Sequence, residues 1–271
     1  MMTNAGNNKK KTAINTVVND IFFCGDAHGK LDHVRKIIKE KKPDAIVLLG
    51  DIQAEKMLHE ELTGADIYFI PGNHDVDTQI YHDNLFLSGY ANNNLHGKVV
   101  EINGLRVAGL GGVFNENIWL PPSDPIYENF EQWDAANKWN NPHYETQRRL
   151  YSSGVIFYDD YINLMMQQAD ILVVHDAPSC HPYGFEALDE LAQAMGVKTV
   201  FHGDHHDCLD YSADEAVMGF RTYGVGLRGI TNVSGNTILK GELDDERMEA
   251  RMLKKLNHDS MFKLTRPSFS M

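Results

Sequence analysis

Three short apolar runs near the start of this chain each stop at a cluster of polar side chains, and that repetition narrows what the chain can fold into. Phe22-Phe23-Cys24 runs into Gly25-Asp26-Ala27-His28-Gly29, Ala45-Ile46-Val47-Leu48-Leu49 ends in Gly50-Asp51, and Asp66 to Ile70 ends in Pro71-Gly72-Asn73-His74-Asp75. A short run that is apolar throughout suits a strand buried on both faces. Between the first two runs, Leu31, Val34, Ile37 and Ile38 recur at helical spacing. Strand, polar end and helix in repeated order predict an α/β fold, in which ligands gather outside the carboxyl ends of the strands. Side chains alternate along an extended backbone, so Asp26 and His28 project the same way. A carboxylate beside an imidazole suits Mn, Fe or Zn better than Ca or Mg.

The rest of the chain keeps the pattern. A first strand is predicted over Ile14 to Cys24, with a weaker helix over Glu55 to Leu62. Lys98 to Ile102 and Leu105 to Leu110 flank Asn103-Gly104, a strong hairpin signal. From Phe114 to about Ser153 the sequence turns aromatic and irregular, with Trp119, Trp133 and Trp139. An insertion of that length is either a lid or binding loop, or a surface excursion with its own aromatic core. Val155 to Gln168 reads as a helix, Ile171 to Val174 as a buried strand ending in His175-Asp176, and Phe185 to Met195 as a helix closed by Gly196. Thr199 to Phe201 leads into His202-Gly203-Asp204-His205-His206-Asp207, and strand-like pieces follow at Phe220 to Val225 and Thr237 to Leu239. Glu242 to Leu256 forms an amphipathic helix whose Met248, Met252, Leu253 and Leu256 face suits core packing or a dimer contact. The expected organisation is a disordered tail over 1–13, a single domain over 14–258 with the insertion at about 114–153, and a tail over 259–271.

Composition excludes some roles. The formal net charge of −13 argues against wrapping long nucleic acid or coating anionic membranes. It leaves room for a small phosphorylated substrate, because bound metals reverse the local sign. Cys24, Cys180 and Cys208 have no CxxC spacing, so reduced thiols in a cytoplasmic protein are expected. No apolar run approaches the roughly 18 residues that span a bilayer.

Five strand ends thus offer Asp26, His28, Asp51, Asn73, His74, His175, Asp204, His205 and His206. A mixed Asp/Asn/His set without cysteine suits two transition-metal ions. Asp51, at the central strand end, is the natural bridge. Two metals roughly 3.5–4 Å apart can clamp a phosphate and acidify a bridging water. His74, beside Asn73, is the candidate general acid, oriented by Asp75.

These residues resemble the calcineurin-like metallophosphoesterases, whose motifs run D-x-H, G-D, G-N-H-[DE], a lone H, then G-H-x-H. Gly25-Asp26-Ala27-His28-Gly29, Gly50-Asp51, Gly72-Asn73-His74-Asp75 and His175 match the first four in order, and the likeness spans about Asp20 to Asp207. The resemblance implies a two-sheet β-sandwich flanked by helices, a four-layer α/β/β/α arrangement with the site at one edge. It implies a first metal on Asp26, His28, Asp51 and His206, a second on Asp51, Asn73 and His175, and His74 as the acid in hydrolysis of a phosphomonoester or phosphodiester. The ions would be divalent, Mn first, with Fe or Zn as alternatives. Asn73 and His74 would also meet the substrate, a nucleotide or other small metabolite, while Arg148 and Arg149 are weaker phosphate contacts, with Arg221 and Arg228 behind them.

Two departures stand out. Asp204 occupies the place of the first histidine in the fifth motif, normally a second-metal ligand. Two divalent ions carry +4 and Asp26 with Asp51 carry −2, so a phosphate dianion reaches neutrality, whereas an ionised Asp204 leaves −1. A pseudo-enzyme that binds metal without turnover is therefore the rival reading. Gln53-Ala54-Glu55 replaces the Arg-Gly of the Ser/Thr protein phosphatases, which makes protein phosphatase activity the lesser alternative.

Overall fold

Ile21 and Phe23 turn one way from their strand, Phe22 and Cys24 the other, and all four are buried. A strand with two apolar faces needs a layer on each side, and this chain supplies both. The computed structural model describes residues 20–137 and 144–251. In chain order it places β1 (Ile21–Cys24), α1 (Asp32–Lys41), β2 (Ala45–Leu48), α2 (Leu58–Glu61), β3 (Asp66–Phe69), α3 (Gln79–Phe86), β4 (Lys98–Ile102) and β5 (Leu105–Leu110). Then come α4 (Phe130–Asn137), α5 (Tyr144–Ser153), α6 (Tyr158–Met165), β6 (Ile171–Val174), α7 (Glu186–Ala194), β7 (Thr199–His202), α8 (Glu215–Met218), β8 (Arg221–Gly224), β9 (Ile230–Asn232) and β10 (Thr237–Leu239). Residues 244–251 close the described chain as a helix.

The strands form two mixed five-stranded sheets, ordered β10-β9-β1-β2-β3 and β4-β5-β6-β7-β8. In the first, β1, β2 and β3 run parallel with Phe23 opposite Val47 and Val47 opposite Tyr68. In the second, β5 to β8 run parallel and β4 pairs antiparallel through the hairpin. Asn103 and Gly104 both take positive φ, 49° and 79°, the conformation a two-residue turn between right-twisted strands requires. The two-sheet α/β sandwich flanked by helices is the fold the sequence implied.

Three apolar layers follow from the alternation. Ile21, Phe23, Val47, Val107, Val173 and Phe201 fill the space between the sheets, where the Phe23 and Phe201 rings stack at 3.8 Å. Phe22, Ile46, Leu48, Ile67 and Phe69 face α1 and α3 on one outer side, and Leu110, Leu172, Val174 and Val200 face α6 and α7 on the other. The aromatic insertion joins that second outer layer. Phe114, Ile118 and Trp119 are buried in it, and Trp133 stacks on Tyr151 at 5.1 Å. Its helix α5 packs beside α3 and the turn that carries His74.

Some elements differ from expectation. The helix expected from Val155 starts at Tyr158, because Val155 bridges Val113 in an extended conformation. The helix expected over Glu55 to Leu62 contracts to α2, while α3 and β9 went unpredicted. Residues 14–19 of the expected first strand, the 1–13 and 259–271 tails, Trp139, and Met252, Leu253 and Leu256 of the last helix lie outside the described residues. No helix among the described residues is long and apolar enough to cross a membrane.

Candidate metal centre

Five parallel strands, three from the first sheet and two from the second, end at the same edge of the sandwich. β1 delivers Asp26 and His28, β2 delivers Asp51, β3 delivers Asn73 and His74, β6 delivers His175, and β7 delivers Asp204 and His206. The turns after the strands are tight. Gly50 has φ 98°, and a Cβ on it would sit 2.3 Å from His175 Nδ1, so only glycine lets β2 pass that imidazole. Asp51, His28, Asp204 and His206 themselves have φ of 48°, 42°, 61° and 56°. Left-handed backbone at non-glycine residues is strain concentrated at a functional site, and Asp and His tolerate it better than most.

Two groups of donor atoms result. Asp26, His28, Asp51 and His206 bring one ligand atom each within 4.8 Å of one another, and Asp51, His175 and Asp204 do the same. Asp51 is common to both. Asn73 belongs with the second group, its Oδ1 3.3 Å from His175 Nε2. Two of the imidazoles are turned by a partner on their other nitrogen: His175 Nδ1–H donates to the Leu49 carbonyl at 2.7 Å, and His28 Nδ1–H to Gln53 Oε1 at 2.7 Å. Both Nε2 atoms are thereby freed toward the cluster, as second-layer contacts commonly arrange in metal sites.

The residues fit a pair of cations. Asp26 and His175 are wholly buried, and Asp26 Oδ2 has no hydrogen-bond partner. A buried carboxylate oxygen without a partner is costly unless a cation faces it. His28 Nε2 and His206 Nε2 converge to 2.9 Å, two lone-pair atoms aimed at one place. Burial pushes the Asp26 carboxyl well up. Burial acts the same way on Asp51, but His175 and the His74 amide outweigh it and bring Asp51 down to about 2.

His74 stands at the open side of the cluster. Its backbone N–H donates to Asp51 Oδ1 at 2.9 Å, its ring lies 5.6 Å from that of His28, and its side chain is 47% exposed. The carboxylate that orients it is Asp77, not Asp75. His74 Nδ1–H donates to Asp77 Oδ2 at 2.8 Å. Asp75 is buried and turned inward, accepting from the amides of Gln53 at 2.7 Å and Gly72 at 2.9 Å, so it holds the β2 and β3 loops together. Burial and Asp51 push its carboxyl up to about 7. Gln53 ties the two parts of the site, since its side-chain nitrogen also reaches Asp77 Oδ2 at 3.4 Å. Neither Asp77 nor the place of Gln53 in the site was read from sequence.

The arginines all have protein partners. Arg148 pairs with Asp134 and lies over the Phe130 ring at 4.7 Å, and Arg149 lies 3.6 Å from Asp83. Arg221 pairs with Glu215, and Arg228 donates to the Ala27 carbonyl. Asp176, next to His175, accepts from the Phe114 amide at 2.8 Å. His82 is buried on α3.

An uncharacterised protein of Haemophilus influenzae is 38% identical over 236 residues, covering 84% of this chain and 100% of its own. The crystal structure of TT1561 of Thermus thermophilus is similar at 15% identity with a TM-score of 0.49, covering 82% of this chain and 97% of its own. The sequence pattern of the calcineurin-like phosphoesterases matches residues 20–208, the stretch that runs from β1 past the last histidine of the cluster. Every donor of both groups lies inside that match, and the chain belongs to the calcineurin-like phosphoesterase family, hydrolases built around a dinuclear metal centre.

Proposed function

We propose that this protein hydrolyses a phosphomonoester or phosphodiester of a small substrate, with His74 as the general acid. The observation that carries this reading is the sharing of Asp51 by two cation-ready groups, with the only strongly exposed imidazole of the set, His74, hydrogen-bonded through its amide to that same carboxylate. Two divalent ions bound there would neutralise phosphate oxygens and acidify water at neutral pH. Mn is our first expectation, from the mixed carboxylate and imidazole donors, with Fe or Zn next.

The chain's own residues supply the rest. Asp26, His28, Asp51 and His206 would hold one ion, and Asp51, Asn73, His175 and Asp204 the other. Asp77 accepts Nδ1–H, which leaves His74 Nε2 to face the substrate. Burial favours the neutral ring, but Asp77 and Asp51 outweigh it and raise His74 above its ordinary value. As water adds to phosphorus and the ester P–O bond breaks, the proton on Nε2 passes to the departing oxygen. A net charge of −13, with Arg148 paired to Asp134 inside the insertion and Arg149 beside Asp83 of α3, favours a small substrate over long nucleic acid.

The test is hydrolysis of an aryl phosphate monoester and diester with added Mn²⁺ and with chelator. Turnover that chelator abolishes supports the reading, and the preferred ester narrows the substrate. Protein that holds two ions yet turns over neither ester would favour the second reading, metal binding without catalysis, which the additional carboxylate of Asp204 motivates.

A further inference from the structure

Asp204 reaches the second group with one oxygen and leaves the other outside it. Oδ1 lies 3.8 Å from His175 Nε2, whereas Oδ2 lies 3.1 Å from His205 Nδ1. The His205 ring is held on its far face. It stacks on His181 with centroids 3.8 Å apart and planes 5° apart. His181 is 2% exposed, and its Nδ1 accepts from the Tyr183 amide at 3.2 Å. That contact leaves the His181 proton on Nε2, the nitrogen turned to Asp207 Oδ2 at 3.6 Å. Among the described residues His205 Nε2 is buried with no hydrogen-bond partner, and Nδ1 meets Asp204 Oδ2 at ion-pair distance. The Asp204 amide meanwhile donates to Asp26 Oδ1 at 3.1 Å, which fixes the backbone from the side of the first group.

We propose that His205 is a positioning residue for the second metal: its Nδ1–H holds Asp204 Oδ2 so that Oδ1 faces the ion, and the stacked His181 with Asp207 behind it fixes the ring. A carboxylate is shorter than an imidazole and can swing about its own axis. A neutral N–H on the outer oxygen removes that freedom and draws charge away from the ligating oxygen, the outer-layer role that carboxylates usually play for histidine ligands, here reversed. The chain thereby answers the substitution of carboxylate for imidazole at Asp204 within its own next residue. This rests on the two-metal reading above.

The experiment compares His205→Asn with His205→Gln. An asparagine amide N–H falls where Nδ1 does, and a glutamine amide where Nε2 does, so only asparagine can hold Asp204. Mn²⁺ affinity and stoichiometry are read by chelator competition, and the exchange-coupled Mn–Mn signal by electron paramagnetic resonance. Wild type is expected to bind two ions, His205→Gln to bind the second about 10–100-fold more weakly with loss of the coupled signal, and His205→Asn to recover both. Melting in chelator should be alike for all three. If His205→Gln binds both ions as wild type does, or if both variants weaken equally, the positioning role is wrong while the two-metal reading stands. If wild type itself takes up fewer than two ions, the two-metal reading falls and takes this proposal with it.

Discussion

His74 and Asp77 show what single residues decide. His74→Asn removes the proton donor but leaves both donor groups whole, so kcat should fall by about 10²–10⁴ with metal content unchanged. A fall in metal content would mean that His74 is needed to build the site. Asp77→Asn removes a hydrogen bond and a charge that raise His74. The acid form of His74 persists up to its pKa, so losing Asp77 should move the alkaline limb of the rate profile to lower pH. The sequence drew attention to Asp75 because it is adjacent to His74. The 3₁₀ turn over His74–Val76 instead brings Asp77 back over His74, since residues three apart eclipse in that helix. The cue in the sequence was the His-x-x-Asp spacing, which means nothing until the turn type is known.

At the scale of elements, the loops after the strands carry the site and the helices brace them. A Cβ on Gly72 would stand 2.3 Å from Asp51 Oδ1 and 2.6 Å from His175 Nε2. Gly72→Ala should therefore weaken metal binding at least tenfold, and a metal titration with wild-type affinity would contradict the tightness of that turn. Helix α3 meets α5 through buried His82, which lies 3.0 Å from Asp83 and 3.3 Å from Ser153 Oγ on α5. Burial lowers the His82 pKa despite Asp83. Its protonation thus favours the unfolded chain, and the stability it contributes is full above about pH 6.5 and is lost as pH falls through its lower folded value. Urea midpoints should drop between pH 7.5 and 5.5, and His82→Phe should flatten that drop. The strands other than β9, with α1 and α7, were legible because their apolar residues repeat cleanly. Helix α3 was not, because Gln79, His82, Asp83 and Asn84 obscure its period, although Thr78 caps it by accepting from the Tyr81 amide at 3.2 Å.

Across the whole molecule, the metal centre exists only while the two sheets stay face to face, because each donor group draws on both. Phe201 on β7 stacks on Phe23 of β1 and is fully buried, so Phe201→Ala should cost about 3–5 kcal/mol in equilibrium unfolding and loosen both ions with it. Bound ions should in turn stabilise the sandwich, by about 2.7 kcal/mol at a hundredfold excess over Kd, and chelator should lower the melting temperature accordingly. A melting temperature indifferent to chelator would contradict the cation sites.

The sequence by itself determined which residues stand at the strand ends and in what order, because strand length, apolar alternation and the glycine turns are local properties. It also determined the donor chemistry, since Asp, Asn and His without Cys specify the class of cation. Only the tertiary structure decided that Asp77 rather than Asp75 faces His74, and that Arg148 is occupied by Asp134 and Arg149 by Asp83. It also placed the His205 ring against Asp204. Those outcomes depend on the registry of two sheets from distant parts of the chain and on left-handed loop residues, and neither leaves a periodic trace in the sequence.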